Sequence, residues 1–395
     1  MTLHALVHRV VDATPPTRDR AVDGLRALAI GGVVLGHWLV TALVTDGGTV
    51  RGASPLRFLP QLAPVSWLFQ TLAVFFLVGG YTAGRPRTLP YRRWLAARLT
   101  RLLRPVPPLL GGWAVVVAVL IATGATDRTV HTLVKLVLSP LWFLLVFAAL
   151  TAATPLVARL HWQWPLSVVA AVDVLRFGPL GPQWIGWVNL AAGWLVPFCL
   201  GIAWSRGALA GTLTPRGSAE GSGGGASGAG MSGGGSDPAA VRRTGWRLLL
   251  GGAAATVVLV RWFGYPASMV GVPGEGVSNL NPPTLTAVTF GLAQCGLALL
   301  LLGPLRALLR RPRVWAGVAL LNLSAMTVFL WHQTAMIAVT LLVDGTRPGL
   351  HTVPDTPAWM AARLAWLPVF ALVLAACWAA FHRFERPPRR MRIFG

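Results

Sequence analysis

Residues 23–38 of the chain read DGLRALAIGGVVLGHW, an apolar stretch that contains Arg26 and, eleven residues later, His37. On an α-helix eleven residues turn through about 1100°, or three turns plus roughly 20°, so both side chains point along one face. The rise between them is about 16 Å, roughly half of the apolar core of a bilayer. If Arg26 lies at a membrane surface, His37 lies near the midplane. A titratable ring at that depth is costly and by default indicates a functional site.

The composition of the whole chain also indicates a membrane protein. Of its 395 residues 54% are hydrophobic and only 12% are charged, and long apolar runs recur along the sequence. The net charge of +22 gathers in short segments between these runs, which favours membrane topology over binding of nucleic acid. The three cysteines lie in apolar stretches without metal-ligand spacing, so we expect core residues and no metal site.

Ten apolar segments are predicted as transmembrane helices, which makes the expected fold all-α and polytopic. Most of them have about the 20 residues needed to cross a bilayer. The fifth is short and contains Asp173, and the ninth is long enough to tilt or break. The predicted helices cover residues 24–45, 62–83, 105–123, 137–157, 164–177, 185–205, 246–263, 284–303, 315–342 and 358–382.

The basic residues orient these helices. With the N-terminus in the cytoplasm, most of the 34 Lys and Arg fall on the cytoplasmic side, as the positive-inside rule expects. Both termini are then cytoplasmic, and the protein is predicted to be a multi-pass protein of the plasma membrane. The basic residues left on the outer side are Arg51, Arg57, Arg128, Lys135, Arg176, Arg261, Arg347 and Arg363.

The predicted helices divide into two blocks. Residues 1–23 form a cytoplasmic N-terminal segment, and residues 24–210 carry the first six helices. A Gly/Ser-rich tract at 211–240 has almost nothing to bury and is predicted to be a flexible cytoplasmic linker. Residues 241–382 carry the last four helices, and residues 383–395 form a basic cytoplasmic tail.

Polar residues inside or beside the helices are the candidates for chemistry. His37 either forms a hydrogen bond between helices or acts as a base. Asp23 lies one turn from Arg26, and positive-inside flanking does not explain this carboxylate. His332 and Gln333 lie in the outer half of the ninth helix, where a structural and a functional role are both open.

A group of arginines follows the second helix. In RLTRLLR, residues 98–104, Arg98, Arg101 and Arg104 recur every three residues, with leucines on the opposite face. Such a helix either lies on anionic lipid or binds phosphate through bidentate guanidinium contacts. The two roles are compatible.

Three further polar or aromatic residues could have either a structural or a functional role. Trp142 lies near the outer end of the fourth predicted helix, where an interfacial aromatic belt is the usual explanation. Asn281 stands in SNLNPPT just before the eighth helix, and the prolines predict a rigid entry into that helix. Glu385 is a carboxylate among the arginines of the tail, so it is either a solvated surface charge or a site residue.

In this order along the chain, the motifs resemble the acyltransferase 3 family of integral-membrane acyltransferases. NPPTL and MTVFLWH are most similar to actinobacterial members. The chain differs where Gly79 and Gly80 stand in place of a common Ser-Gly pair, so a hydroxyl is absent there. The matching stretches are RAVDGLRALAIGGVVLGHW with its Arg-x10-His motif, VFFLVGGYTAG, RLTRLLRP, LWFLLVFAALTAATPL, MTVFLWHQT and FERP.

The resemblance implies transfer of an acyl group, acetyl above all, from cytoplasmic acyl-CoA to a hydroxyl of a carbohydrate, a glycolipid or a secondary metabolite. Arg26 and His37 would be catalytic, with His37 as a base or an acyl relay. Arg98, Arg101 and Arg104 would bind the CoA phosphates. The residues expected on the substrate side are Asp23, Trp142, Asn281, His332, Gln333 and Glu385.

The same resemblance sets the expected partners. Acyl-CoA is a cosubstrate and no cofactor is tightly bound. The other partners are the acceptor and the lipid bilayer, nucleic acid is not among them, and formation of a homodimer is left open.

A proton-coupled permease or flippase is the alternative from another functional class. It would use His37, Asp173 and His332 as a proton relay and would transport its substrate without turnover of acyl-CoA. Apart from Asp173, the acidic residues lie in loops or at helix ends, which disfavours this alternative.

Overall fold

The computed structural model describes residues 3–16, 18–179, 181–210, 237–273 and 276–385. Helices dominate these residues, so the predicted all-α class is confirmed. Most of the predicted linker at 211–240 and of the tail at 383–395 lies outside the described ranges. In chain order the α-helices are α1 (Leu3–Asp12), α2 (Arg20–Val40), α3 (Pro55–Phe58), α4 (Ala63–Ser66), α5 (Leu72–Gly84), α6 (Tyr91–Leu103), α7 (Val106–Ala122), α8 (Asp127–Ala152), α9 (Thr154–Val157), α10 (Gln163–Phe177), α11 (Asn189–Ser205), α12 (Pro238–Trp262), α13 (Leu285–Leu308), α14 (Pro312–Leu323), α15 (Ala325–Leu342) and α16 (Pro357–Phe381).

Several of these helices are long and apolar enough to cross a membrane, which makes the chain a polytopic membrane protein. Within the described ranges seven helical segments meet that condition, and α5 is a shorter apolar helix. The predicted count of ten and the orientation of the termini stay predictions. The seven segments are Arg20–Val40, Tyr91–Ala122, Asp127–Ala152, Gln183–Ser205, Leu285–Leu308, Ala325–Leu342 and Pro357–Glu385.

The helix that carries Arg26 and His37 lies at the centre of the packing. It contacts α5, α13, α14, α15 and α16. Helix α5 also contacts α11 and α13. The first helix was predicted as 24–45, but α2 begins at Arg20, where the side chain of Asp19 accepts a hydrogen bond from the backbone N–H of Ala21, and ends at Val40. The capping aspartate explains the earlier start.

A two-stranded hairpin replaces the predicted end of the first helix. Strand β1 (Ala42–Asp46) pairs antiparallel with β2 (Thr49–Ala53), and Asp46 lies opposite Thr49. Gly47 and Gly48 form the turn with φ of 51° and 79°, a conformation that glycine adopts without strain. Two adjacent glycines between runs that contain valine and threonine are a hairpin signal that hydropathy alone does not show.

Other predicted boundaries were also wrong. The second helix begins at Leu72 and not at 62, because the preceding residues form short helical turns with a proline at their first or second position. The fourth begins at Asp127 and not at 137, since the side chain of Thr126 caps the earlier start. The ninth, predicted to tilt or break, does break: α14 ends at Leu323 and α15 begins at Ala325.

Helices α5 and α11 meet backbone to backbone. A Cβ atom on Gly80 would collide with the carbonyl oxygen of Phe198, and one on Gly201 would collide with the carbonyl oxygen of Leu77. Gly80 and Gly201 thus have a packing role, because small residues let helices approach closely in a membrane. Gly79, which stands where the Ser-Gly pattern has the serine, leaves room for the ring of Phe147.

Replacing Gly80 by valine is expected to lower the free energy of unfolding by about 3 kcal/mol, since the added side chain must push two backbones apart. Thermal unfolding of the purified protein in detergent measures the effect. Gly111→Val on α7 is the matched control, because no atom lies within 4 Å of the position that a Cβ atom would take there. Equal unfolding temperatures for the two variants would contradict the close contact.

Candidate functional site

A cavity of about 360 Å³ lies beside Arg26, and we call it the Arg cavity. Helices α2, α5, α6, α8, α14 and α15 and the turn at His382–Glu385 form its walls. It gathers three cationic side chains around an otherwise largely apolar surface. The residues that line it include Arg26, Phe75, Gly79, Thr82, Arg98, Arg101, Phe147, Asn322, Met326 and Glu385.

Neighbouring side chains hold the cations of the Arg cavity in place. Arg98 donates to the hydroxyl of Thr82 at 2.5 Å, and its guanidinium lies 5.1 Å from the ring centre of Trp94. Asp23 accepts from Nε of Arg18 at 2.5 Å and lies 3.6 Å from Nη1 of Arg26. The hydrogen bond to Asp23 raises the pKa of Arg18, and Arg18 therefore stays charged. Asp23 acts here as a counter-ion and does not itself line the cavity.

Glu385 is buried and caps a helix. Its carboxylate accepts hydrogen bonds from the backbone N–H groups of Met326 and Thr327, at 3.1 and 3.2 Å, and from the hydroxyl of Thr327 at 2.8 Å. These groups belong to the first turn of α15, where free N–H groups and the helix dipole favour an anion. The interpretation of Glu385 as a solvated surface charge is therefore wrong, since only 5% of the residue is exposed.

A second cavity, of about 250 Å³, lies beside His37 further along α2, and we call it the His cavity. Arg26 and His37 thus line two successive cavities on one helix. This agrees with the expectation that they share a face. The residues that line the His cavity include Leu72, His37, Gln70, Trp142, Phe143, Leu280, Phe329 and Gln333.

His37 is hydrogen-bonded to the second predicted histidine. Its Nδ1 lies 2.8 Å from Nε2 of His332, and the rings stack with centres 4.9 Å apart. Nδ1 of His332 lies 2.6 Å from the carbonyl oxygen of Phe329, which can only accept, so this nitrogen carries the hydrogen.

The tautomers of the pair follow from that assignment. In a neutral His332 the other nitrogen, Nε2, accepts, so Nδ1 of His37 donates to it. Nε2 of His37 is then left with a free electron pair. An imidazole oriented in this way by a second group is the arrangement of a general base.

Comparison of the sequence with known proteins identifies the family of this chain. The profile described as an acyltransferase domain matches residues 19–382, nearly the whole chain. The chain belongs to the acyltransferase 3 family. No curated protein and no solved structure matches it. The protein is therefore a membrane acyltransferase, and both cavities lie within the matched region apart from Glu385.

Sequence reasoning missed a buried arginine of this acyltransferase. Arg363 was expected at the outer surface, but it is 0% exposed inside α16. It donates to the carbonyl oxygens of Trp38 at 2.6 Å and Thr41 at 2.7 Å, next to His37, and to that of Gly349 at 2.8 Å. Its place one to two turns inside a predicted apolar helix was the signal that could have found it.

Among the described residues that line the two cavities, two buried carboxamide oxygens lack hydrogen-bond partners. Nδ2 of Asn322, in the wall of the Arg cavity, donates to the carbonyl oxygens of Asp23 and Val318 at 2.9 and 3.0 Å, so Oδ1 is the atom left over. Gln333, in the wall of the His cavity, has the same unpartnered oxygen. Such acceptors are costly to bury without a donor.

The remaining predicted site residues fall in different places. Trp142 lines the His cavity and lies about 22 Å along α8 from its first residue. Asn281 is exposed and lines neither cavity, although the adjacent Leu280 lines the His cavity. Arg104 does not line the Arg cavity and forms the C-cap of α6.

Asp173, the carboxylate of the proposed proton relay, joins three elements instead. It accepts from Nδ2 of Asn189 at 2.9 Å, the hydroxyl of Tyr265 at 3.0 Å and the backbone N–H of Leu285 at 2.6 Å. Burial raises the pKa of Tyr265, so this phenol remains a donor. These contacts give Asp173 a structural role at the start of α13.

Proposed function

We propose that this acyltransferase moves an acyl group, acetyl in the first place, from acyl-CoA to a hydroxyl of a carbohydrate, a glycolipid or a secondary metabolite. One observation carries the proposal. A histidine oriented by a second histidine lines one cavity, and a cluster of arginines lines the next cavity along the same helix.

The Arg cavity suits the acyl-CoA side of the reaction. Guanidinium groups bind phosphate oxygens through paired, charge-assisted hydrogen bonds, and Arg98 and Arg101 present such groups at the cavity wall. Arg104 extends the same basic helix outside the cavity. Since acyl-CoA is made in the cytoplasm, the proposal places the Arg cavity on the cytoplasmic side of the plasma membrane.

The His cavity suits the acceptor. Nε2 of His37 takes the proton from the acceptor hydroxyl, and the oxygen attacks the thioester carbonyl. The new C–O bond forms as the C–S bond breaks, and the departing thiolate takes the proton back from His37 to leave as CoA. In the relay version His37 is acylated first and the hydroxyl then receives the acyl group.

Other residues of the two cavities have supporting roles in this proposal. His332 donates a hydrogen bond to the carbonyl oxygen of Phe329 and accepts one from His37. This acceptor favours the positive charge that develops on His37 when it takes the proton. Arg26, paired with Asp23, orients the part of the donor that lies in the Arg cavity. Trp142 and Gln333 contact the acceptor.

The permease alternative gains no support from the geometry. It requires Asp173 in the relay, but this carboxylate is occupied by Asn189, Tyr265 and Leu285. The deciding experiment supplies the purified protein in lipid nanodiscs with radiolabelled acetyl-CoA and a panel of hydroxyl acceptors. We expect release of CoA together with a labelled acceptor, and transport of substrate without release of CoA would contradict the proposal.

Replacing Arg98 and Arg101 by glutamine is expected to raise the KM for acetyl-CoA by about 10-fold or more, with a smaller effect on kcat. A hydrogen bond to a charged group contributes about 1.5–3 kcal/mol, and 1.4 kcal/mol corresponds to tenfold. Steady-state kinetics at varied acetyl-CoA measures the change. The control is Arg92→Gln with Arg93→Gln, two exposed arginines of the same helix that do not line the cavity. An equal rise of KM in the control pair would show a general charge effect.

A further inference from the structure

A wall of aromatic side chains separates the Arg cavity from the His cavity. On α8 Phe143 lines the His cavity and Phe147 the Arg cavity, and on α15 Phe329 lines the His cavity and Met326 the Arg cavity. The change from one cavity to the other takes one helical turn on each helix, so the wall is about 5 Å thick.

Phe143 is the central ring of this wall. Its ring centre lies 5.0 Å from that of Phe75, at 77°, and 5.2 Å from that of Phe329, at 52°. Phe75 belongs to the lining of the Arg cavity, and Phe329 belongs to that of the His cavity. With 2% of its surface exposed, Phe143 fills the space between them. The three rings are in the contact range of packed aromatic side chains.

The position of the wall has a consequence for the donor. Under the proposed function the CoA phosphates bind in the Arg cavity, while His37 lies in the His cavity. The thioester must therefore cross the wall, and the acyl group, as the end of the donor, crosses first. Protein interiors are packed like crystals, so every additional methylene group that enters the wall must displace a ring.

We propose that Phe143 sets the length of the acyl group that this acyltransferase accepts, and that the wall restricts the donor to short chains such as acetyl and propionyl. The inference rests on the proposed function and adds the determinant of donor length to it.

The alternative is that the aromatic rings only pack the core. Phe143→Ala and Phe143→Leu separate the two explanations when kcat/KM is measured with acetyl-, butyryl- and hexanoyl-CoA. A methylene group in an apolar pocket is worth about 10-fold or more in discrimination. We therefore expect the hexanoyl-to-acetyl ratio of kcat/KM to rise by at least about 10-fold. Phe143→Trp should narrow the passage instead, so kcat should fall even with acetyl-CoA, at an unchanged KM.

Phe198→Leu is the matched control. This ring is 0% exposed in the core of α11 and lines neither cavity, so its truncation should destabilise the protein and leave the donor ratio unchanged. If Phe143→Ala does not fold, the leucine and tryptophan variants give the same test.

Two results would overturn the inference, and they differ from each other. A wild-type enzyme that turns over acetyl-CoA while its Phe143 variants keep the wild-type donor ratio would refute the role of Phe143 alone. A wild-type protein in nanodiscs that releases no CoA from any donor would refute the proposed function, and the inference with it.

Discussion

Replacing His37 by alanine is expected to lower the rate of acyl transfer by about 10²- to 10⁴-fold, the usual contribution of a general base. The hydrogen bond from Nδ1 of His37 to His332 fixes the tautomer that has a free electron pair on Nε2 of His37. The alanine variant has no ring and therefore lacks this base. Release of CoA and labelling of the acceptor, each measured in nanodiscs, give the rate. Because His332 acts through His37, His332→Ala should lower kcat less than His37→Ala does.

Two comparisons make this result specific. His131→Ala removes an exposed histidine on α8 and should keep the wild-type rate. The thermal unfolding of His37→Ala must stay close to that of the wild type for the loss to be chemical. A folded His37→Ala variant that still transfers the acyl group at the wild-type rate would rule out both the base and the relay.

Replacing Arg363 by methionine is expected to have the largest effect on stability of any single change proposed for this protein. It leaves the carbonyl oxygens of Trp38, Thr41 and Gly349 without their donor in a buried place. Each unsatisfied group costs about 1–3 kcal/mol, so the free energy of unfolding should fall by about 3 kcal/mol or more. The change also removes the anchor of α2 next to His37, so kcat should fall in the fraction that remains folded.

Thermal unfolding in detergent and kcat of the folded fraction test this prediction together. Arg363→Lys keeps the charge but lacks the planar fork whose three nitrogen atoms each donate to a different carbonyl group, so it should lose most of the same stability. Arg347→Met, at an exposed position in the loop before α16, is the control and should change neither quantity. Wild-type stability in Arg363→Met would show that the carbonyl groups find other partners.

Much of the fold was predictable because its signals are local. The lengths of the apolar runs and the turn of an α-helix place Arg26 and His37 on one face, and both line cavities in the folded protein. The hairpin at Ala42–Ala53 was missed because apolar, β-branched residues satisfy a hydropathy window as a strand or as a helix.

The arrangement of the site was less predictable because it depends on contacts between distant segments. His37 and His332 are 295 positions apart in the sequence, and only the packing of α2 against α15 brings them together. The capping role of Glu385 depends on the break after Leu323 and on the return of the chain to that point. Arg363 was assigned to the surface because basic residues near helix ends usually lie there.

The contact between α5 and α11 also determines which parts of the enzyme can move during a reaction cycle. Gly80 and Gly201 bring the two backbones together, and we expect this close contact to hold the two helices as one rigid pair. Phe75 projects from this rigid pair, whereas Phe143 and Phe329 belong to α8 and α15. Any transient passage from one chamber to the other therefore requires displacement of side chains on α8 and α15, with α5 as the stationary side.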